Sequence, residues 1–113
     1  VRIRSVTEEY EARLAPTAAS PQPAASGKAE WKTYRGGARQ GRATVSGLDL
    51  PDGTVLELAV ASRTVARLTV QQGRARYRRE TERAEDVPWV ETDQVVQLLH
   101  GGHVLLEGRF RPE

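Results

Sequence analysis

The sequence predicts an all-β fold: a single antiparallel β-sandwich, Ig-like in general form, with about seven to nine strands. Three observations predict it. Short runs of alternating apolar and polar residues follow one another from Ala43 to Phe110, as in TVLELAVA and TVARLTV. Turn chemistry separates neighbouring runs: Pro51-Asp52-Gly53, Ser62-Arg63, Gln71-Gln72-Gly73 and Gly101-Gly102. No stretch repeats its apolar residues at helical spacing, and Arg79 to Glu85, helix-compatible in composition, lacks an apolar face. A two-residue period broken by frequent turns is the pattern of strands that lay one face on a core.

Taken in chain order, Val1 to Leu14 alternates in two registers. Val1 and Ile3 share one parity and Tyr10, Ala12 and Leu14 the other, so a bulge or break is expected near Val6–Glu9. Ala15 to Gly27 (APTAASPQPAASG) has prolines, small side chains and no period, the mark of an extended loop or tether. The chain thus divides into an N-terminal strand or arm (1–14), a Pro/Ala-rich loop or tether (15–27) and a sandwich body (28–113). In KAEWKTYR, Ala29, Trp31 and Thr33 share a face, and Gly36-Gly37 ends the run. Ala43 and Val45 share a face, whereas Leu48 and Leu50 need a change of parity, which a bulge at Gly47 supplies. Pro51 presets φ and Gly53 supplies a positive φ for the turn that follows. The expected inner residues are Trp31, Val45, Leu56, Leu58, Val60, Leu68, Val70, Tyr77, Val104, Leu106 and Phe110, with Leu105 outward beside Glu107 and Arg109.

Composition sets bounds. A chain of 113 residues suits one domain, large enough to bury roughly two-thirds of its unfolded surface. With no Cys, disulfides and thiolate chemistry are excluded. With no Asn, so is N-glycosylation. The joint lack of Asn, Cys and Met fits a thermophile, and a GC-rich genome accounts for it equally, since Lys28 and Lys32 are the only lysines among many arginines. No apolar run approaches the ~18 residues of a membrane span. The net charge of +2 is too small to imply a nucleic-acid partner. A chain that opens on Val1 and holds no Met is expected to be a processed product, by signal-peptide removal or by trimming.

Five segments carry a family likeness: YEARL, SGKAEW, VSGLDLPDGTVLELAV, VARLTVQQGRARY and the closing VLLEGRF. Together they span Tyr10 to Phe110, and their order resembles a family of secreted bacterial β-sandwich domains, distantly like the CHRD domain. The resemblance implies an extracellular or cell-surface, non-enzymatic module. CHRD domains carry a His-x-His segment that this chain lacks, so ligand chemistry tied to that segment does not carry over.

Two surfaces are candidate sites. The first is the N-terminal arm, whose residues Val1, Ile3, Val6, Tyr10, Ala12 and Leu14 are competent to add as a strand to a neighbour's sheet edge. Head-to-tail exchange would make the protein a homo-oligomer or polymer of itself, an extracellular structural filament. The alternative is an arm folded back as the first strand of its own domain, which the YEARL likeness favours for residues 10–14. The second candidate is the Arg-rich strand, where Arg74, Arg76, Arg78 and Arg79 flank Tyr77 and suit an anionic glycan or protein partner. The alternative there is a solvated face or a charge-guarded edge, partly neutralised by Glu80, Glu82 and Glu85. His100 and His103 flank a two-residue turn, but zinc wants three or four protein ligands and no third is indicated. Asp52 reads as a turn residue, and no nucleophile elbow or phosphate-binding glycine loop occurs. The expectation is therefore a protein that is not an enzyme, with no catalytic residue, cofactor or metal.

Overall fold

The computed structural model of the chain describes residues 6–81 and 87–113. Among the described residues there are nine strands and no α-helix: β1 (Val6–Pro16), β2 (Ser26–Tyr34), β3 (Arg39–Ser46), β4 (Val55–Val60), β5 (Arg63–Thr69), β6 (Ala75–Glu80), β7 (Val95–His100), β8 (His103–Arg109) and β9 (Arg111–Pro112). The fold is all-β and antiparallel throughout, as the alternation predicts. Its strand order is β5-β4-β7-β8-β1-β2-β3-β6, with β9 beside β1. The two ends of that order, β5 and β6, are consecutive in sequence, so one sheet curls back on itself and stops just short of closing.

β1 joins the two halves of this flattened barrel. It pairs with β2 from Val6 to Leu14, with β9 at Tyr10 and Glu11, and with β8 at Ala15 and Pro16. The crossing needs a close approach, and Gly108 provides it: a Cβ there would lie 2.2 Å from the Arg13 carbonyl oxygen. Such a contact is impossible for any residue with a side chain. The glycine of the closing Gly108-Arg109-Phe110 segment is thus a place where two backbones touch, and its phenylalanine is a core residue.

The core is centred on Trp31. Its ring stacks on Tyr77 at 5.5 Å and meets Phe110 edge-on at 5.4 Å, arrangements that aromatic pairs favour. The indole N–H donates to the Pro88 carbonyl at 3.1 Å. Of the inner residues expected from the sequence, all are buried except Val104, which is half-buried.

Four details differ from the simple alternation. Leu105, expected outward, is 1% exposed: the β7–β8 register slips between Leu98 and Leu99, so Leu98 faces Leu106 and Leu99 faces Val104. The bulge leaves Leu105 opposite no single partner and turns it inward. Gly47 is not a bulge within a strand but lies just past the end of β3, with φ of 74°, and sends Leu48 into the core. The hairpin expected at Ser62-Arg63 turns instead at Ala61-Ser62, whose φ values of 51° and 65° are both positive, as a type I′ turn requires. Finally, residues 6–14 do not form a unit apart from the body. β1 runs on to Pro16 and sits inside the sheet, while the loop proper shortens to residues 17–25. The slip expected near Val6–Glu9 is present as a register shift between Val6 and Glu8.

Candidate anion-binding face

The basic face is built by alternation on three adjacent strands. On β6, Ala75 and Tyr77 are buried, which turns Arg76 and Arg78 to solvent. On β3, Gly41, Ala43 and Val45 point in, and Arg42, Thr44 and Ser46 point out. On β2, burial of Ala29 and Trp31 sends Lys28 outward. The register sets Arg42 opposite Arg78, and Thr44 between Arg76 and Lys28. These side chains and Arg74 line an open groove of about 760 Å³.

Charge is segregated across this face. Toward β1 the cations are neutralised: Lys28 Nζ lies 3.3 Å from Glu30 and 3.6 Å from Glu11. The Glu30 hydrogen bond and charge, then the charge of Glu11, raise the Lys28 pKa above its usual value, which favours the ammonium form. Toward β6 the balance changes. Arg78 meets Glu80 at 3.0 Å, but Arg42, Arg74 and Arg76 have no carboxylate within salt-bridge distance among the described residues. Arg42 stands in register between Glu30 on β2 and Arg78 on β6, so on its β6 side two like charges are directly opposite each other, an unfavourable cross-strand pair. An anion seated between two guanidiniums reverses that repulsion and gains charge-assisted hydrogen bonds.

The groove therefore gathers three of the four arginines read from the sequence: Arg74, Arg76 and Arg78. Arg79 is not among its lining residues. It has the opposite parity, faces Gly41 in register, and lays its guanidinium 5.5 Å from the centre of the Tyr77 ring. Sequence reasoning missed Arg42 and Lys28. Their outward parity was legible, but β4 and β5 lie between β3 and β6 in the chain, and only the strand order shows that β3 and β6 are neighbours.

The other candidate residues are placed as follows. Ala12 and Leu14 are buried in the core of their own chain, Tyr10 packs against it, and Val6 pairs with Tyr34. Val1 and Ile3 lie outside the described residues. His100 and His103 pair across the β7–β8 hairpin and are exposed, and no group of three or more His, Asp or Glu residues is arranged to hold a metal among the described residues. Asp52 acts in a turn, as expected, but braces a different one: its carboxylate accepts the Gln72 backbone N–H at 2.8 Å.

On the far side of β1 the carboxyl of Glu113 is hydrogen-bonded to Glu11 and then to Glu9, which pushes its pKa up to about 7. No protein-family model matches the chain, and no curated protein does.

Proposed function

We propose that this protein is a non-enzymatic binding module whose basic face, made by β2, β3 and β6, recognises an anionic partner. One observation carries the reading: Arg42, Arg74 and Arg76 share a groove with Arg78 and Lys28, and the first three have no carboxylate partner among the described residues. An extracellular or cell-surface setting, which the family likeness implies, belongs to the same proposal. Self-association by exchange of the N-terminal strand ranks below it. Donating β1 to a neighbour would break its pairing with β2, β8 and β9 and expose Ala12 and Leu14.

The test uses heparin as a generic polyanion. Binding is measured at two salt concentrations for the parent protein, for the double variant Arg42→Glu, Arg76→Glu, and for Arg63→Glu, an exposed cation on β5 outside the groove. The double variant is expected to bind at least about tenfold more weakly with a shallower salt dependence, and Arg63→Glu is expected to match the parent. Equal affinity and equal salt dependence in all three proteins would overturn the proposal.

A further inference from the structure

The sheet fails to close in a particular way. The hairpin between β5 and β6 begins as a regular ladder: the Gln71 N–H donates to the Arg74 carbonyl at 2.9 Å, and the Arg74 N–H donates back at 3.0 Å. Gln72 and Gly73 make its two-residue turn with φ of 52° and 72°. Had the ladder continued, Thr69 would pair with Arg76 and Arg67 with Arg78. It does not: beyond Gln71–Arg74, no pairing joins the two strands among the described residues. The strands diverge into a fork.

The apex of that fork is fixed from three sides. Asp52 holds the Gln72 N–H, the Gly53 N–H donates to the Val70 carbonyl at 2.9 Å, and the Leu48 N–H donates to the Gly73 carbonyl at 3.0 Å. Between the prongs lies a cavity of about 550 Å³, lined by Thr69, Gln71, Arg74 and Arg76 among others.

Backbone alternation tells which groups face the opening. In an antiparallel ladder, the N–H and C=O of successive residues point to opposite sides. Arg74 points its pair at Gln71, so Ala75, Tyr77 and Arg79 point theirs at β3, and Arg76 and Arg78 point theirs into the fork. The Arg39 N–H, which donates to the Thr81 hydroxyl at 2.9 Å, confirms that the odd-numbered residues of β3 face β6. One of the fork-facing groups has a side-chain stand-in: the Arg78 carbonyl accepts from the Arg79 guanidinium at 2.9 Å. The N–H and C=O of Arg76 and the N–H of Arg78 have no backbone partner among the described residues. The residues that offer open backbone groups to the fork are thus the ones whose side chains make the basic groove.

We propose that the β6 edge of this fork captures an extended acidic peptide by strand addition, an assignment that rests on the basic-face reading and names its partner. An added strand would hydrogen-bond to the Arg76 and Arg78 backbone. Carboxylates at its alternate positions would repeat about every 6.8 Å, the spacing of Arg76 and Arg78 along β6, and would stand beside them as cross-strand ion pairs. The intervening side chains would turn inward, where Ala66 on β5 is only partly buried although it packs on the core. Charge selects the occupant. Row upon row of arginine keeps neutral or basic strands off an edge, and the leading segment of a second copy, VRIRSV, is itself basic.

The probe is a synthetic peptide alternating Glu with Val or Thr, compared with a version N-methylated on alternate amides, which keeps the charge but removes edge hydrogen bonds. Affinity is read by fluorescence anisotropy, and amide protection by hydrogen exchange with NMR detection. The expected result is binding of the parent peptide, protection of the Arg76 and Arg78 amides, at least a tenfold loss on methylating the amides that face β6, and a comparable loss in Arg76→Glu. Equal binding of the two peptides, with Arg76→Glu still weakening both, would overturn strand addition while leaving the basic face intact. Binding of neither peptide would overturn this inference. If heparin binding were also indifferent to charge reversal, the basic-face reading would fall with it.

Discussion

Replacing Gly41 by Ala tests the centre of the fold. Gly41 is in register with Trp31 on the neighbouring strand. A Cβ there would lie 2.7 Å from Trp31 Cζ2, 2.8 Å from Cε2 and 3.1 Å from Tyr77 Cε2. The indole has nowhere to move, because it is held between Tyr77 and Phe110 and tied through its N–H to the Pro88 carbonyl. Overpacking of this kind costs about 1–3 kcal/mol, and the reduced freedom of the unfolded chain returns about 0.4–1 kcal/mol. The net loss is about 1–2 kcal/mol. With an unfolding entropy of about 2.1 cal/mol/K per residue, a chain of 113 residues should lose about 4–8 °C in Tm. Calorimetry and urea denaturation measure this directly. The decisive comparison repeats Gly41→Ala in a Trp31→Leu background, where the smaller side chain leaves room for the methyl group. There the substitution should cost nothing or stabilise. An equal loss in both backgrounds would show that the indole is not what Gly41 accommodates.

Leu105→Ala should cost about 2–5 kcal/mol in urea denaturation, since the bulge buries this side chain; an outward leucine would lose no more than about 0.5 kcal/mol. Arg42→Thr removes one of the groove's cations and should weaken polyanion binding at low salt with a shallower salt dependence; unchanged affinity would mean that Arg42 takes no part in the face. The Glu113 carboxyl should titrate near pH 7 by NMR. An acid whose folded pKa exceeds its unfolded value holds its proton more tightly when folded, so stability should fall as pH rises from about 4.5 to 7, and Glu113→Gln should flatten that slope. A midpoint near the ordinary value of 4.5 would remove the basis for this expectation.

Sequence alone determined the local structure. Alternation in LELAV, ARLTV and ARYR dictates which side chains enter the core, because a strand turns successive residues to opposite faces whatever it pairs with. Turn residues such as Pro51, Gly53 and Gly101-Gly102 mark where the chain reverses, because proline fixes its own φ and glycine takes a positive φ without steric cost. Four arginines within RARYRR were visible in the same way. What pairing decides was not legible. That β3 lies beside β6, that Arg42 therefore joins the groove and Arg79 leaves it, and that β1 runs through the sheet as its link between halves all depend on contacts between segments far apart in the chain. So does the inward turn of Leu105, which follows from a register slip against β7. The fork between β5 and β6 is the clearest case: the turn chemistry at Gln72-Gly73 promises a closed hairpin, yet the strands part after one pair because each is already committed to a different half of the sheet.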